Sequence, residues 1–290
     1  MSKILSAKPV VQAMKGQLQE EVSKLKESGS NPTLGIIRVG ERPDDVYYEN
    51  SIIKNCQSIG IETKTYPLDS EIGMEEFTRI LREVNQDASI HGILIFRPLP
   101  NQLDENVIKY IIDPDKDIDC MNPLNLAKVF EGDMSGLVPC TPAAVMETLK
   151  HYDIGLQGAS VVIMGRSLVV GKPLSMMMLK DNATVTVCHS KTKDMPGISK
   201  QADIIVAAMG KPKLVDENYV TESSIVIDVG INDAGDGKIC GDVDYDAVVD
   251  KVDAITPVPG GIGSVTTTIL LKHVVIACKN KAKNSMKDNL

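Results

Sequence analysis

The chain has 290 residues, 43% of them hydrophobic, and a formal net charge of −8. That hydrophobic content excludes a disordered chain, and the acidic balance speaks against a nucleic-acid partner or an anionic membrane surface, both of which need a concentrated basic face. With seven Tyr, three Phe and no Trp, the core must be aliphatic and each ring merits locating.

The N-terminal MSKILSAKPVVQAMKG lacks the apolar run of a signal peptide. Short β-branched runs then alternate with segments of helical period: TLGIIRV from Thr33, VYYENSIIKNCQSIG from Val46, IETKTYPL from Ile61, MEEFTRILREVNQ from Met74 and IHGILIF from Ile90. This is the pattern of βαβ units around a parallel sheet. Turn residues fill PLPNQLDE and the stretch from Asp113 to Pro142. TPAAVMETLKHY then reads as a helix with Thr141 as N-cap and Pro142 in its first turn, crossing from one domain to the next. A second series follows with SVVIMG from Ser160, KPLSMMMLKD, ATVTVCHS, DIIVAAMG and SIVIDVG. A last helix is expected from Thr266 to about Lys281, returning to the first domain, with KNKAKNSMKDNL as a frayed tail that carries no site. Its apolar stretch ILLKHVVIAC is interrupted by Lys272 and His273, so no membrane span is expected and the chain reads as cytoplasmic.

The expected fold is therefore α/β with two domains: an N-terminal α/β substrate domain and a C-terminal Rossmann-like NAD(P)-binding domain. The boundaries read as 1–140 with the C-terminal helix 266–290, and 141–265. Six cysteines, at 56, 120, 140, 188, 240 and 278, form no CxxC pair, so they are taken as reduced and no metal site is expected.

Strand SVVIM runs into Gly165-Arg166-Ser167-Leu168-Val169-Val170-Gly171, after which a helix begins. Strand, glycine turn and helix N-terminus together present N–H groups and a positive dipole end to a pyrophosphate. Ser167 replaces the second glycine of the usual GxGxxG and the loop is one residue longer, so a plain βα turn stays open on the motif alone. At the end of the next strand an NAD site usually places a carboxylate for the ribose hydroxyls. Here that strand ends in His189-Ser190-Lys191-Thr192. Hydroxyl and cationic groups suit a 2′-phosphate, so NADP is favoured over NAD.

GRSLVVGKP, ATVTVCHSKT, PCTP at 139–142, KDID at 116–119 and TPVPGGIGSVT at 256–266 together resemble the bifunctional methylenetetrahydrofolate dehydrogenase/methenyltetrahydrofolate cyclohydrolase family over essentially the whole chain. The resemblance implies a cleft between two α/β domains, a homodimer, a tetrahydrofolate substrate and NADP-linked oxidation of 5,10-methylenetetrahydrofolate. It implies that Arg166 and Ser190 grip the 2′-phosphate, beside Gly165, Ser167, Gly171 and His189 of the cofactor pocket, with Ile231 touching the cofactor. It also implies that Asp119 bonds the pterin, that Tyr48 stacks on the aminobenzoate ring, and that Pro259, Gly260 and Gly261 shape the loop beside substrate and nicotinamide.

Two positions depart from the family pattern. The family has a lysine four residues after the tyrosine and a glutamine just before the PLP turn, both implicated in hydrolysis. Here they are Ile52 and Phe96. Ile52 shares a helix face with Tyr48, so an apolar group stands where the ammonium is expected, and Lys54 points away. Strand alternation directs Arg97 to the face opposite Phe96. The expectation is a dehydrogenase whose cyclohydrolase activity is lost or weak, with the Phe96 ring free to contact a methenyl cation. Further departures are Cys120-Met121-Asn122, Ala144 and Ser264-Val265.

Among other candidates, His91, His151 and His273 have no readable carboxylate partner. Asp228 and Asp242 read better as loop-holding carboxylates than as a catalytic pair, and Asp44 and Asp45 as caps of the helix bearing Tyr48. The alternatives are a fully bifunctional enzyme, a folate- or NADP-binding pseudoenzyme, and a dehydrogenase of the shikimate or amino-acid type.

Overall fold

The computed structural model describes residues 2–235 and 237–287. The chain divides into two compact units, one comprising Met14–Lys128, Asp133–Val138 and Leu270–Leu290, the other Met1–Ala13, Val129–Gly132 and Pro139–Ile269. β1 (Lys3–Ile4) and α1 (Ala7–Glu27) open the chain.

The first of these units then takes β2 (Thr33–Val39), α2 (Pro43–Ile59), β3 (Glu62–Leu68), α3 (Met74–Gln86), β4 (Gly92–Ile95), α4 (Glu105–Ile108) and α5 (Pro123–Glu131) up to Lys128. Its sheet is parallel, in the order β3-β2-β4. Central β2 is buried along its whole length, which explains its continuous aliphatic run. Phe77 and Leu81 of α3 close one face against Ile37, Ile93 and Ile108. One of the three Phe rings is thus spent wholly on the core.

The second unit adds α6 (Cys140–His151), β5 (Ser160–Met164), α7 (Gly171–Lys180), β6 (Thr184–Cys188), α8 (Met195–Ser199), β7 (Ile204–Ala207), β8 (Ile225–Asp228), β9 (Asn232–Gly235), β10 (Lys238–Cys240), α9 (Tyr245–Val248), β11 (Ala254–Ile255) and the start of α10 (Ile262–Lys287), which from Leu270 onward belongs to the first unit. Among the described residues its main sheet runs β1-β11-β8-β7-β5-β6, all parallel, and β9 and β10 form an antiparallel hairpin. Successive connections leave β5 toward β6 and then return to β7 on the other side, the strand reversal of a doubly wound sheet.

Three local expectations are corrected. Pro139, not Thr141, is the N-cap of α6, no side chain caps that helix, and all of it lies within the second unit. α10 begins at Ile262, four residues early, so that the last two residues of the GGIG turn already lie in the helix. It continues through most of the Lys-rich end to Lys287, where Lys279 pairs with Glu21 at 2.9 Å and Lys281 donates to Ala88 O. Residues 288–290 of that expected tail lie outside the described residues. By length and composition the Ile262–Lys283 part of α10 could cross a membrane despite Lys272 and His273, yet 61% of its most apolar window is buried inside the protein, as in a core helix.

Five of the six cysteines are buried and Cys240 is half-buried; all are free thiols. Burial pushes the Cys56 thiol up to about 12 and the Cys278 thiol up to about 11, and raises those of Cys120 and Cys188.

Candidate active site

The folate-side candidates of the first unit gather at the carboxyl ends of β2 and β4, where parallel sheets bind ligands. Arg42 is the N-cap of α2 and makes no side-chain cap. Its guanidinium instead pairs with Asp45 at 2.6 Å and donates to Pro98 O at 3.3 Å, tying the helix start to the turn after β4. Asp44 and Asp45 therefore lie in the first turn, where the helix dipole favours carboxylates, and do not cap it as expected. A second tie had no local sequence signal: Arg38, at the end of β2, donates to Glu49 of α2 and to Gly40 O. Both side chains are buried, so this ion pair fixes α2 on the strand end. Removing either partner alone would strand a buried charge.

Tyr48 is 41% exposed, whereas Phe96 is 6% and Ile52 1% exposed. The rings of Tyr48 and Phe96 lie 5.4 Å apart, tilted by 42°, within the range of a favourable aromatic pair. Phe96 thus backs Tyr48 and leaves little ring for a ligand; the accessible ring is that of Tyr48. Ile52, one turn further along, faces the core.

Arg97 corrects the alternation argument. β4 ends at Ile95, so its pleat no longer governs Arg97, whose Nη2 donates to Asp119 Oδ2 at 2.6 Å. The meeting follows from backbone register. Ile93 bridges Asp117 in parallel and its N–H donates to Lys116 O at 2.7 Å, so the segment ending in Asp119 runs beside β4. Asp117 is fully buried and accepts from Met121 N, Asn122 N and Asn125 Nδ2, folding the turn in which Cys120 has φ 57°. Burial raises the Asp117 carboxyl despite these donors. His273 of α10 bonds Ile118 O through Nδ1 at 2.8 Å, so that nitrogen carries the proton.

In the second unit, Gly165 follows β5 with φ 135°, and a Cβ there would stand 2.2 Å from Ala208 O, beyond β7. A Cβ on Gly171, the first residue of α7, would stand 2.0 Å from Gly165 O. Both glycines are required by backbone closing on backbone at the reversal between β5 and β7. Arg166 and Ser167 are exposed between them, and no side chain caps α7. Gly165 N donates to Cys188 O at 2.8 Å, bringing the loop to the end of β6. There His189 N donates to Thr192 Oγ1 and Lys191 N to His189 Nδ1, a self-bonded turn that leaves Ser190 exposed. An open helix start, two glycines without room for a side chain and an exposed hydroxyl beside cations fit a dinucleotide that carries a 2′-phosphate.

Ile231 lines a cavity of about 210 Å³ together with Pro259, Gly260 and Gly261. The expectation put the Pro259-Gly260-Gly261 loop beside substrate and nicotinamide and Ile231 at the cofactor; the fold brings all four to one cavity. Two buried carboxylates hold the adjoining loops. Asp242 accepts from Met209 N, Gly210 N and Lys211 N and from Asn232 Nδ2, while Asp228 accepts from Gly230 N, Asp242 N and Val243 N. Burial pushes Asp228 up to about 6, against the pull of its three N–H donors. Among the described residues no group of three or more His, Cys, Asp or Glu is arranged to hold a metal ion.

The doubly wound sheet and its glycine cradle define a dinucleotide-linked α/β enzyme in which a separate α/β unit carries a ring-and-carboxylate site. Residues 5–119 match the tetrahydrofolate dehydrogenase/cyclohydrolase catalytic domain, and residues 139–282 the NAD(P)-binding domain of the same family. The chain belongs to the tetrahydrofolate dehydrogenase/cyclohydrolase family. It is 72% identical over 281 residues, 97% of this chain and 100% of the relative, to a protein of Desulfitobacterium hafniense (strain Y51) named "Bifunctional protein FolD 1". Its fold is similar to the crystal structure of the bifunctional enzyme FolD, methylenetetrahydrofolate dehydrogenase/cyclohydrolase, from Campylobacter jejuni, with TM-score 0.94, 40% identity and coverage of 97% and 99% of the two chains. It is also similar to the Trypanosoma brucei N5,N10-methylenetetrahydrofolate dehydrogenase-cyclohydrolase complexed with NADP cofactor and inhibitor, with TM-score 0.90, 32% identity and coverage of 97% and 98%.

Proposed function

We propose that this chain oxidises 5,10-methylenetetrahydrofolate to 5,10-methenyltetrahydrofolate with NADP, and that it hydrolyses the methenyl product slowly or not at all. In this reading it acts as a cytoplasmic homodimer in one-carbon metabolism. Tyr48 carries the aminobenzoate ring and Asp119 bonds the pterin. Arg166 and Ser190 hold the 2′-phosphate at the cradle of Gly165, Ser167, Gly171 and His189, while Ile231 and the Pro259-Gly260-Gly261 loop border the reacting rings. NADP supplies the hydride acceptor. The substrate is an aminal whose nitrogen lone pair stabilises the cation left behind, so the oxidation asks the protein for orientation more than for a base. A ring backed by Phe96 and a carboxylate placed by backbone register and turned by Arg97 provide that orientation.

Hydrolysis of the methenyl cation asks for more, because a water must be activated and a proton moved. The observation that carries the loss is the burial of Ile52 and Phe96, at 1% and 6% exposure, at the two positions that bear lysine and glutamine in the family pattern. Arg97 brings a cation back to Asp119, but a guanidinium does not deprotonate in proteins and cannot relay a proton. The test is to follow absorbance of methenyltetrahydrofolate with and without the protein, alongside NADPH formation at 340 nm from methylenetetrahydrofolate. Reduction of NADP with methenyl decay at the spontaneous rate is expected. Clear acceleration of that decay overturns the loss, and turnover with NAD alone overturns the phosphate grip.

A further inference from the structure

We propose that Arg97 is a specificity-determining residue of the folate pocket. Paired with Asp119, it forms a donor–acceptor group that reads the 2-amino-4-oxo edge of the pterin, and its task is to demand the 4-oxo oxygen. The proposal rests on the reading of Asp119 as the pterin contact.

Asp119 is placed by its backbone. Asp117 fixes the turn on one side of it, the bond between His273 and Ile118 O holds its immediate neighbour, and the parallel bridge to Ile93 sets its height beside β4. What the backbone leaves open is the orientation of the carboxylate, and the 2.6 Å bond from Arg97 Nη2 to Oδ2 sets it. The two side chains are 33% and 29% exposed, so the pair lies at a surface that a ligand can reach, unlike the buried pair of Arg38 and Glu49. Arg97 is itself held close by, since its neighbour Phe96 donates its backbone N–H to Ile37 O at 2.9 Å and packs on Tyr48.

The chemistry of the ligand edge matches this pair. A reduced pterin presents in sequence an amino donor, a ring N–H donor and a carbonyl acceptor. A carboxylate alone serves the two donors and meets the carbonyl with its own lone pairs. A guanidinium carries five N–H donors in a planar fork, so one can hold Asp119 while another faces the carbonyl. The combined edge then reads acceptor, acceptor, donor. A 4-amino pteridine puts an N–H donor where the guanidinium also donates, and two donors facing each other repel; its N3 also lacks the proton and becomes an acceptor, a second mismatch that falls on Asp119 and not on Arg97. Rejection by a mismatched hydrogen-bonding group is a stronger discriminator than pocket size.

The experiment measures binding of tetrahydrofolate and of tetrahydroaminopterin, its 4-amino counterpart, to the full chain with NADP present. Wild type, Arg97→Leu, Arg97→Lys and Asp119→Asn are compared, with a cooperative urea transition of the first unit, which carries Arg97, as the check that each variant is folded. Wild type is expected to prefer the 4-oxo ligand by about tenfold or more, the scale of one charge-assisted hydrogen bond. Arg97→Leu should cut the preference several-fold, leaving the part that Asp119 makes at N3, and Arg97→Lys should keep more of it than Arg97→Leu. If Arg97→Leu does not fold, Arg97→Lys alone decides: a preference as large as in wild type overturns the proposal. A folded Arg97→Leu protein with the wild-type preference overturns it too. The underlying reading fails separately, and the proposal with it, if Asp119→Asn leaves tetrahydrofolate affinity unchanged. A merely structural role for Arg97 would weaken both ligands alike and leave their ratio intact.

Discussion

Ile52 and Phe96 show how firmly a side chain can be committed to its place. Restoring the cation with Ile52→Lys buries an ammonium at a position 1% exposed, which costs several kcal/mol unless the chain rearranges. The expected outcome is a loss of about 3 kcal/mol or more in a urea titration and no gain of hydrolysis; a stable variant that hydrolyses methenyltetrahydrofolate would contradict the burial argument. Phe96→Gln removes the ring behind Tyr48 and is expected to raise the KM for folate more than it lowers kcat. His273 carries a different prediction. Burial lowers its pKa from 6.5 to about 4, with Lys272 acting in the same direction and the bond to Ile118 O against it. Between those two values the unfolded chain binds the additional proton, so stability is complete above pH 6.5 and falls as the pH drops toward 4, by about 3 kcal/mol. His273→Asn keeps an N–H for Ile118 O and cannot titrate. Urea midpoints between pH 7 and 4.5 should therefore slope less than in wild type, and identical slopes would refute the assignment. His91, lowered to about 4 by burial and by the nearby Lys281 and Lys116, adds a second contribution that this variant leaves in place.

At the scale of elements, the strand ends decide the chemistry. Gly165→Ala and Gly171→Ala each push a methyl to within 2.2 and 2.0 Å of backbone oxygens that no side-chain motion can relieve. Loss of NADP binding is expected, with destabilisation of about 2 kcal/mol or more, since Gly165 also pays for a positive φ. Asp242→Ala leaves three consecutive amides and Asn232 without their acceptor; about 3 kcal/mol of stability should go, at about 1–3 kcal/mol per unsatisfied buried group with partial relief by water. The parallel α/β architecture was within reach of the sequence because β-branched runs and helical periods alternate locally; the strand order, with β1 and β11 at one edge of the second sheet, was not. The pairing of Arg97 with Asp119 was not, because it depends on where β4 stops and on the register between Ile93 and Asp117, neither of which has a local signature. The caps misled for a similar reason. Asp45 and Thr141 are good cap residues, but the neighbours Arg42 and Pro139 had already taken the backbone into position.

For the whole molecule, the C-terminal helix matters out of proportion to its length. Leu270, Leu271, Val274, Val275 and Cys278 are all buried, and at roughly 1.5–3 kcal/mol for each aliphatic side chain their loss approaches the net stability of about 5–15 kcal/mol of an ordinary domain. A chain stopped after Ile269 is expected to show no cooperative unfolding transition by circular dichroism, and a normal transition would show the helix to be dispensable. The sequence revealed this helix by its periodicity and suggested its return to the first domain from its place after the second series, but not which side chains it packs against, since that is a long-range fact. The distribution of thiols offers a last consequence. Five cysteines are shielded, and the half-buried one, Cys240, closes the hairpin strand whose Ile239 lines the cavity beside Ile231 and Gly260. The native chain should therefore consume about one equivalent of a thiol reagent quickly and the other five only on unfolding. A fluorophore attached there would sit at the edge of that cavity, giving the protein, without any engineered residue, a built-in optical gauge of any ligand that enters it.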